Sequence, residues 1–162
     1  PLRGTKLGAY EGGIRTPLVA RWPAIIRKEK EGSITQQPGH VIDFMATFLE
    51  VAGASVPAEV QGTSLVSLLE KPETVKWRDS VYYHYYEHGG EHQVPRHEGV
   101  RNDRYKLINF YSNDGIDLYD LKNDPAEMVD VSGVITYSEI LATMKEELSR
   151  LRKQYDLPPL KK

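Results

Sequence analysis

Two runs rich in β-branched and aromatic residues, Tyr105-Lys-Leu-Ile-Asn-Phe-Tyr111 and Ile116-Asp-Leu-Tyr-Asp-Leu121, flank the polar stretch Ser112-Asn-Asp-Gly115. Asn, Asp and Gly tolerate the positive φ angles of a tight turn, so the runs are expected to pair as an antiparallel hairpin. Upstream, Ser80 to Tyr86 is rich in Val and Tyr and reads as another strand. A polar, Gly-containing loop, Glu87 to Glu98, then leads to a fourth short strand at Gly99-Val-Arg101. Four short strands joined by turns predict an antiparallel sheet that ends at Asn123-Asp-Pro125.

A helix is expected from about Tyr137 to Tyr155, to lie across one face of that sheet. Ile140, Leu141, Met144, Leu148, Leu151 and Tyr155 form one apolar stripe. Thr136 and Glu139 have the spacing of a capping box, and Ile135 with Ile140 that of a hydrophobic staple.

The first half is organised differently. Lys6-Leu-Gly-Ala-Tyr-Glu11-Gly-Gly-Ile-Arg15-Thr-Pro17 reads as a Gly-rich loop carrying a cation, a carboxylate and a second cation. Gly12-Gly13 permits either positive φ or close backbone approach. Such a loop can hold an anion: Lys6 as a point charge on an ester oxygen, Glu11 holding a neighbouring cation, Arg15 clamping an internal carboxylate bidentately. From spacing alone, a surface turn with solvated ions is the competing reading. Leu18 to Trp22 is expected to form a short strand stopped by Pro23. Val41, Ile42, Met45, Phe48, Leu49 and Ala52 fall at helical spacing, with Asp43 in the first turn and Gly53 placed to end the helix. That helix is expected to pack on a sheet. The change of character at Trp77-Arg78 marks a subdomain boundary, which divides the chain into residues 1–76 and 77–162.

Composition narrows the chemistry. The chain of 162 residues has a net charge of −2, so it offers no electrostatic case for nucleic acid or an anionic membrane surface. With no cysteine it cannot form disulfides, thiolate metal sites or a Cys nucleophile. No run approaches the roughly 20 apolar residues of a membrane-spanning helix.

Lys6, Tyr10-Glu-Gly-Gly-Ile-Arg15, Pro17 and Trp22-Pro23 together resemble the segment of type I sulfatases that follows their last metal ligands. The resemblance continues in order through Asp43, Gly53, Gln61-Gly-x-Ser-Leu65, Arg104-Tyr-Lys-Leu-Ile108 and Leu118-Tyr-Asp-Leu-x-x-Asp-Pro125-x-Glu127. It implies an α/β fold: the end of an alkaline-phosphatase-like α/β domain, then a small four-stranded antiparallel sheet packed on a C-terminal helix. It also implies hydrolysis of sulfate esters, of a carbohydrate or an aryl alcohol, with Lys6 contacting the sulfate and Glu11 and Arg15 supporting it. Family members use a formylglycine nucleophile made within Cys/Ser-x-Pro-x-Arg and a divalent ion, Ca2+, held by Asp and Asn residues. Neither motif occurs here. The chain is therefore expected to be the C-terminal part of a longer, exported or lysosomal-type enzyme, to bind no metal, and to be inactive alone. Exposed apolar faces in its first half would favour self-association. The rival reading is a non-catalytic carbohydrate- or partner-binding module.

The loop between the first two strands holds His88-Gly-Gly-Glu91-His92, which matches the H-x-x-E-H metallopeptidase pattern. Two adjacent glycines would cost the helix that chemistry needs about 2 kcal/mol relative to Ala, which argues against it. Two readings of the loop stand: a solvated segment with ordinary imidazole titration, or one that recognises substrate through Arg96 and His97.

Overall fold

A computed structural model describes residues 2–27, 30, 32–87 and 93–160. The string His88-Gly-Gly-Glu91-His92 lies outside them, as do Lys28, Glu29, Glu31 and the terminal Lys161-Lys162. In chain order the elements are α1 (Glu11–Ile14), α2 (Asp43–Val51), α3 (Val66–Glu70), β1 (Val81–Tyr85), β2 (His97–Arg101), β3 (Tyr105–Phe110), β4 (Gly115–Asp120) and α4 (Ser138–Gln154). They fall into two compact units, Pro1–Thr16 with Ser80–Lys162, and Pro17–Asp79. One junction lies close to the expected change at Trp77-Arg78. Residues 1–16, however, group with the C-terminal half.

In the first unit the four strands form one antiparallel sheet in the order β1-β2-β3-β4. Alternation along the strands sorts side chains onto two faces. Val100, Leu107 and Leu118 point to α4 and pack against Met144, Leu148 and Leu151, which makes the larger core. Ile108 and Tyr119 point the other way and pack against Ala9 of the N-terminal segment, with Tyr10, Tyr83 and Phe110 around them. The sheet is thus covered by the helix on one face and by the N-terminal segment around Ala9 and Tyr10 on the other, which is why that segment belongs to this unit. Asp114, in the turn between β3 and β4, takes the positive φ of 58° that the Asn-Asp-Gly stretch predicts.

The expected start of α4 needs correction. A 3-10 turn over Ile135–Tyr137 leads into the helix, Tyr137 occupies the cap position, and no side chain caps it. Ile135 is 83% exposed, so no staple forms. The helix is fixed instead from its sides: Glu147 accepts the Ser80 hydroxyl, and Arg152 reaches the buried Glu98 carboxylate on β2.

In the second unit α2 ends in a Schellman arrangement, with Gly53 N–H donating to Glu50 O and Ala54 N–H to Leu49 O while Gly53 takes φ of 69°. Asp43 is wholly buried. Its carboxylate accepts from the His40 and Thr63 amides and from both ends of the Arg78 guanidinium fork, so its role here is structural. Leu65, Leu68 and Trp77 form a small core with Phe44. The buried residues of α2 are Asp43, Ala46 and Thr47, whereas Met45 and Phe48 on the helix and Val41 just before it are exposed, in keeping with the exposed apolar faces expected of the first half. The expected strand at Leu18 to Trp22 is absent. Val19 is 90% exposed, and among the described residues of its own unit there is no strand for this backbone to pair with.

Candidate functional site

Apart from the single helical turn of α1, the segment 2–16 is irregular, and it is held to the sheet by a buried polar knot. Alternation in β3 turns Lys106 away from α4 and into the interface with the segment, where its side chain is 0% exposed. Its ammonium lies 2.7 Å from Glu11 Oε1 and 2.8 Å from Glu127 Oε1, and it also donates to Ala9 O at 3.3 Å. Arg101 on β2 donates from Nε to the same Glu11 oxygen at 3.0 Å. Glu127 accepts the Glu11 amide on its other oxygen at 2.6 Å. Two buried carboxylates thus share one buried ammonium, with Arg101 supplying the second positive charge. Burial pushes the Glu11 carboxyl up, but Lys106 and Arg101 outweigh it and hold it below the usual range.

Arg3 adds a second fastening. Its guanidinium lies over the Tyr10 ring at 3.9 Å and donates to the Tyr119 hydroxyl and the Glu127 carbonyl. Gly12 N–H donates to Arg3 O at 2.7 Å, closing the segment into a loop. Neither Gly12 nor Gly13 takes positive φ. Close approach is what they provide: a Cβ at Gly12 would meet the Arg3 and Gly4 carbonyl oxygens at 2.5 Å, and one at Gly13 the Gly8 oxygen at 2.2 Å. Lys6 projects from this closed loop, exposed, beside Leu7 in a left-handed conformation of φ 74° that a branched side chain rarely adopts.

The other expected site residues are placed as follows. Glu11 does hold neighbouring cations, but on the sheet. Arg15 is 55% exposed with one atom 3.8 Å from Glu11 Oε2, so no bidentate clamp forms. His97 is a β2 residue only 2% exposed, not part of a solvated loop. Its ring stacks on Tyr85, lies edge-on to Tyr83 and Phe110, and its Nδ1 is 2.9 Å from Pro95 O. Burial lowers its affinity for a proton. Arg96, just outside the strand, is half-buried. No ring contact or hydrogen bond among the described residues joins His97 to Lys6. Lys106, Arg101, Glu127 and Arg3 escaped the sequence reading. The signal for Lys106 was a lone cation in an apolar strand whose neighbours on both sides pack in the core.

The described residues include no group of three or more His, Asp or Glu side chains placed to hold a metal ion. With no Cys, and with Ser55-Val-Pro57 followed by Ala58-Glu59 where a formylglycine motif needs Arg, the residues present do not fit either cofactor of the resembled enzymes.

Comparison with known proteins places this arrangement. The sequence pattern of the N-sulphoglucosamine sulphohydrolase C-terminal family matches residues 5–154. An N-acetylglucosamine-6-O-sulfatase of Bacteroides thetaiotaomicron is 40% identical over 149 residues, covering 90% of this chain and 26% of that protein. A sulfatase of Formosa agariphila is 32% identical, covering 78% of this chain and 24% of that protein. A solved structure of a protein in complex with its substrate, D-glucosamine-2-N,6-O-disulfate, is 42% identical and superposes with a TM-score of 0.68, covering 70% of this chain and 24% of that one. The chain belongs to the N-sulphoglucosamine sulphohydrolase C-terminal family, a C-terminal portion of type I sulfatases. It spans about a quarter of the length of the curated relatives it matches.

Proposed function

We propose that this chain works as the C-terminal part of a sulfatase that hydrolyses sulfate esters of a carbohydrate, with Lys6 contacting the sulfate group. The observation that carries the reading is the setting of Lys6: an exposed ammonium on a loop fastened by buried ion pairs. A cation carried on a fastened loop can neutralise charge on the sulfuryl oxygens as the S–O bond breaks, with little reorganisation of the backbone at that moment. The similarity to a protein solved with a sulfated glucosamine supports the carbohydrate. Arg96 is the candidate for contact with the saccharide, and the buried His97 next to it supports the strand end beside Arg96.

The nucleophile and Ca2+ of this enzyme class would have to be held by residues other than those described here, so the 162-residue chain alone is inactive in this reading. The exposed Met45 and Phe48 on α2, with Val41 just before it, support self-association of the isolated chain. An exported or lysosomal-type location accords with the family's members.

The test is turnover of an aryl sulfate, and of a sulfated glucosamine, by a longer protein that carries this sequence. Metal-dependent release of sulfate is the expected result. Its absence from a preparation shown to contain formylglycine would leave the binding-module reading in its place.

A further inference from the structure

The loop that carries Lys6 is fastened on both sides of it by one residue. Glu127, wholly buried, lies in the turn after β4 and itself takes a left-handed φ of 55°. Its carbonyl accepts the Arg3 guanidinium on one side of the loop, and its carboxylate accepts the Glu11 amide at 2.6 Å on the other. Lys6 lies between these two attachment points. The carboxylate's other oxygen takes the Lys106 ammonium at 2.8 Å, which ties the clamp to β3. We propose that Glu127 is a positioning residue for sulfate-ester hydrolysis: by fastening Arg3 and Glu11 it sets where the Lys6 ammonium meets the sulfate. The inference rests on the reading of Lys6 given above.

The physical case is one of selection among alternatives. A buried carboxylate needs charge-assisted partners, and Lys106 alone would satisfy half of it. Giving the remaining oxygen to a backbone amide of the loop fixes the loop's path independently of its side chains. The left-handed backbone at Glu127 serves the same geometry, since non-glycine residues adopt it only where the surroundings over-determine it. A residue serving only as core packing would not need to present its carbonyl and its carboxylate to opposite flanks of the same loop. A misplacement of the ammonium by a fraction of a bond length is enough to lower turnover while substrate still binds.

The experiment is a double-mutant cycle in the longer sulfatase chain, read with an aryl sulfate. Glu127→Gln keeps the shape but loses the ion pair with Lys106. Turnover is expected to fall about 10-fold or more, with KM changing less. In a Lys6→Ala background the same substitution is expected to change turnover by less than about 2-fold, because there is no ammonium left to misplace. An equal fall in both backgrounds, or wild-type kinetics for Glu127→Gln, overturns the inference and leaves the Lys6 reading intact. Wild-type kinetics for Lys6→Ala alone overturns the sulfate-contact reading and this inference with it. Should Glu127→Gln fail to fold, Arg3→Lys removes the guanidinium's contacts to the Glu127 carbonyl and Tyr119 from a half-buried position. Arg3→Lys must show the same dependence on Lys6, and lack of it overturns the inference.

Discussion

The Lys106 ammonium lies 2.7 Å from Glu11 Oε1, and neither side chain reaches solvent, with exposures of 0% and 2%. A strand residue from the sheet and the first residue of α1 are therefore joined by an ion pair that water does not screen. Breaking such a pair leaves uncompensated buried charge, which costs more than the pair contributes relative to an apolar replacement.

Lys106→Met is accordingly expected to destabilise the first unit by about 3–5 kcal/mol, because two carboxylates lose their shared cation. Urea denaturation followed by circular dichroism measures it. A loss under about 1 kcal/mol would mean that Glu11 and Glu127 find other partners.

Lys6→Ala in a longer protein carrying this sequence should leave stability unchanged, since the side chain is exposed. Turnover of a sulfate ester should fall at least 10-fold, equivalent to roughly 1.4 kcal/mol of transition-state stabilisation. Steady-state kinetics beside a melting curve separates the two effects, and an unchanged turnover would return Lys6 to an ordinary surface charge.

The sheet was largely legible in the sequence, and the knot was not. Asn113-Asp-Gly115 and the Val- and Tyr-rich runs specify strands through local turn chemistry and alternation, and all four appear within a few residues of their expected bounds. Leu18 to Trp22 failed because a strand is a pairing, and the apolar run says nothing about whether a partner exists beside it. Thr136 and Glu139 have capping-box spacing, yet the chain enters α4 through a 3-10 turn that moves the cap to Tyr137. Lys106 and Glu127 each stood inside a recognised stretch. That they meet across the Glu11 loop depends on register and on which face the loop covers, which no local pattern encodes.

Acidification should weaken the fold below neutrality, chiefly through His97. Burial holds its imidazole below the ordinary value of 6.5, so the unfolded chain binds the proton first as pH falls. Stability then declines as pH drops through 6.5 toward the lower folded value, because the unfolded state carries more protons over that window. His40 and His84 are lowered by burial as well and add to the slope. Urea midpoints at several pH values between about 7.5 and 5.5, for the wild type and His97→Gln, give the comparison. A slope unaltered by the substitution would assign the effect to other groups.

Gly99→Ala should lower the melting temperature of the first unit. A Cβ there would lie 2.3 Å from the Tyr83 ring and 2.6 Å from the Leu107 carbonyl oxygen, and the latter is backbone in the neighbouring strand. Overpacking of this kind costs about 1–3 kcal/mol. Scanning calorimetry should show it, and an unchanged transition would mean that β2 shifts freely against β3.

The exposed stripe on α2 makes the isolated chain's behaviour concentration-dependent in our reading. Phe48 is 68% exposed and Met45 56%. Phe48→Glu is expected to shift sedimentation toward monomer without changing far-UV circular dichroism. Monomeric wild type at high concentration would dispose of the idea.

The glycine pair after Glu11 has a bearing on how this loop can diverge among descendants. With carbonyl oxygens of Arg3, Gly4 and Gly8 packed where side chains at positions 12 and 13 would begin, the inner wall of the loop is built from main chain alone. Any side chain added at either position therefore runs into main-chain oxygen. Variation is channelled outward, to Thr5 and Leu7 on either side of Lys6, so that a lineage can retune what flanks the ammonium while keeping the frame.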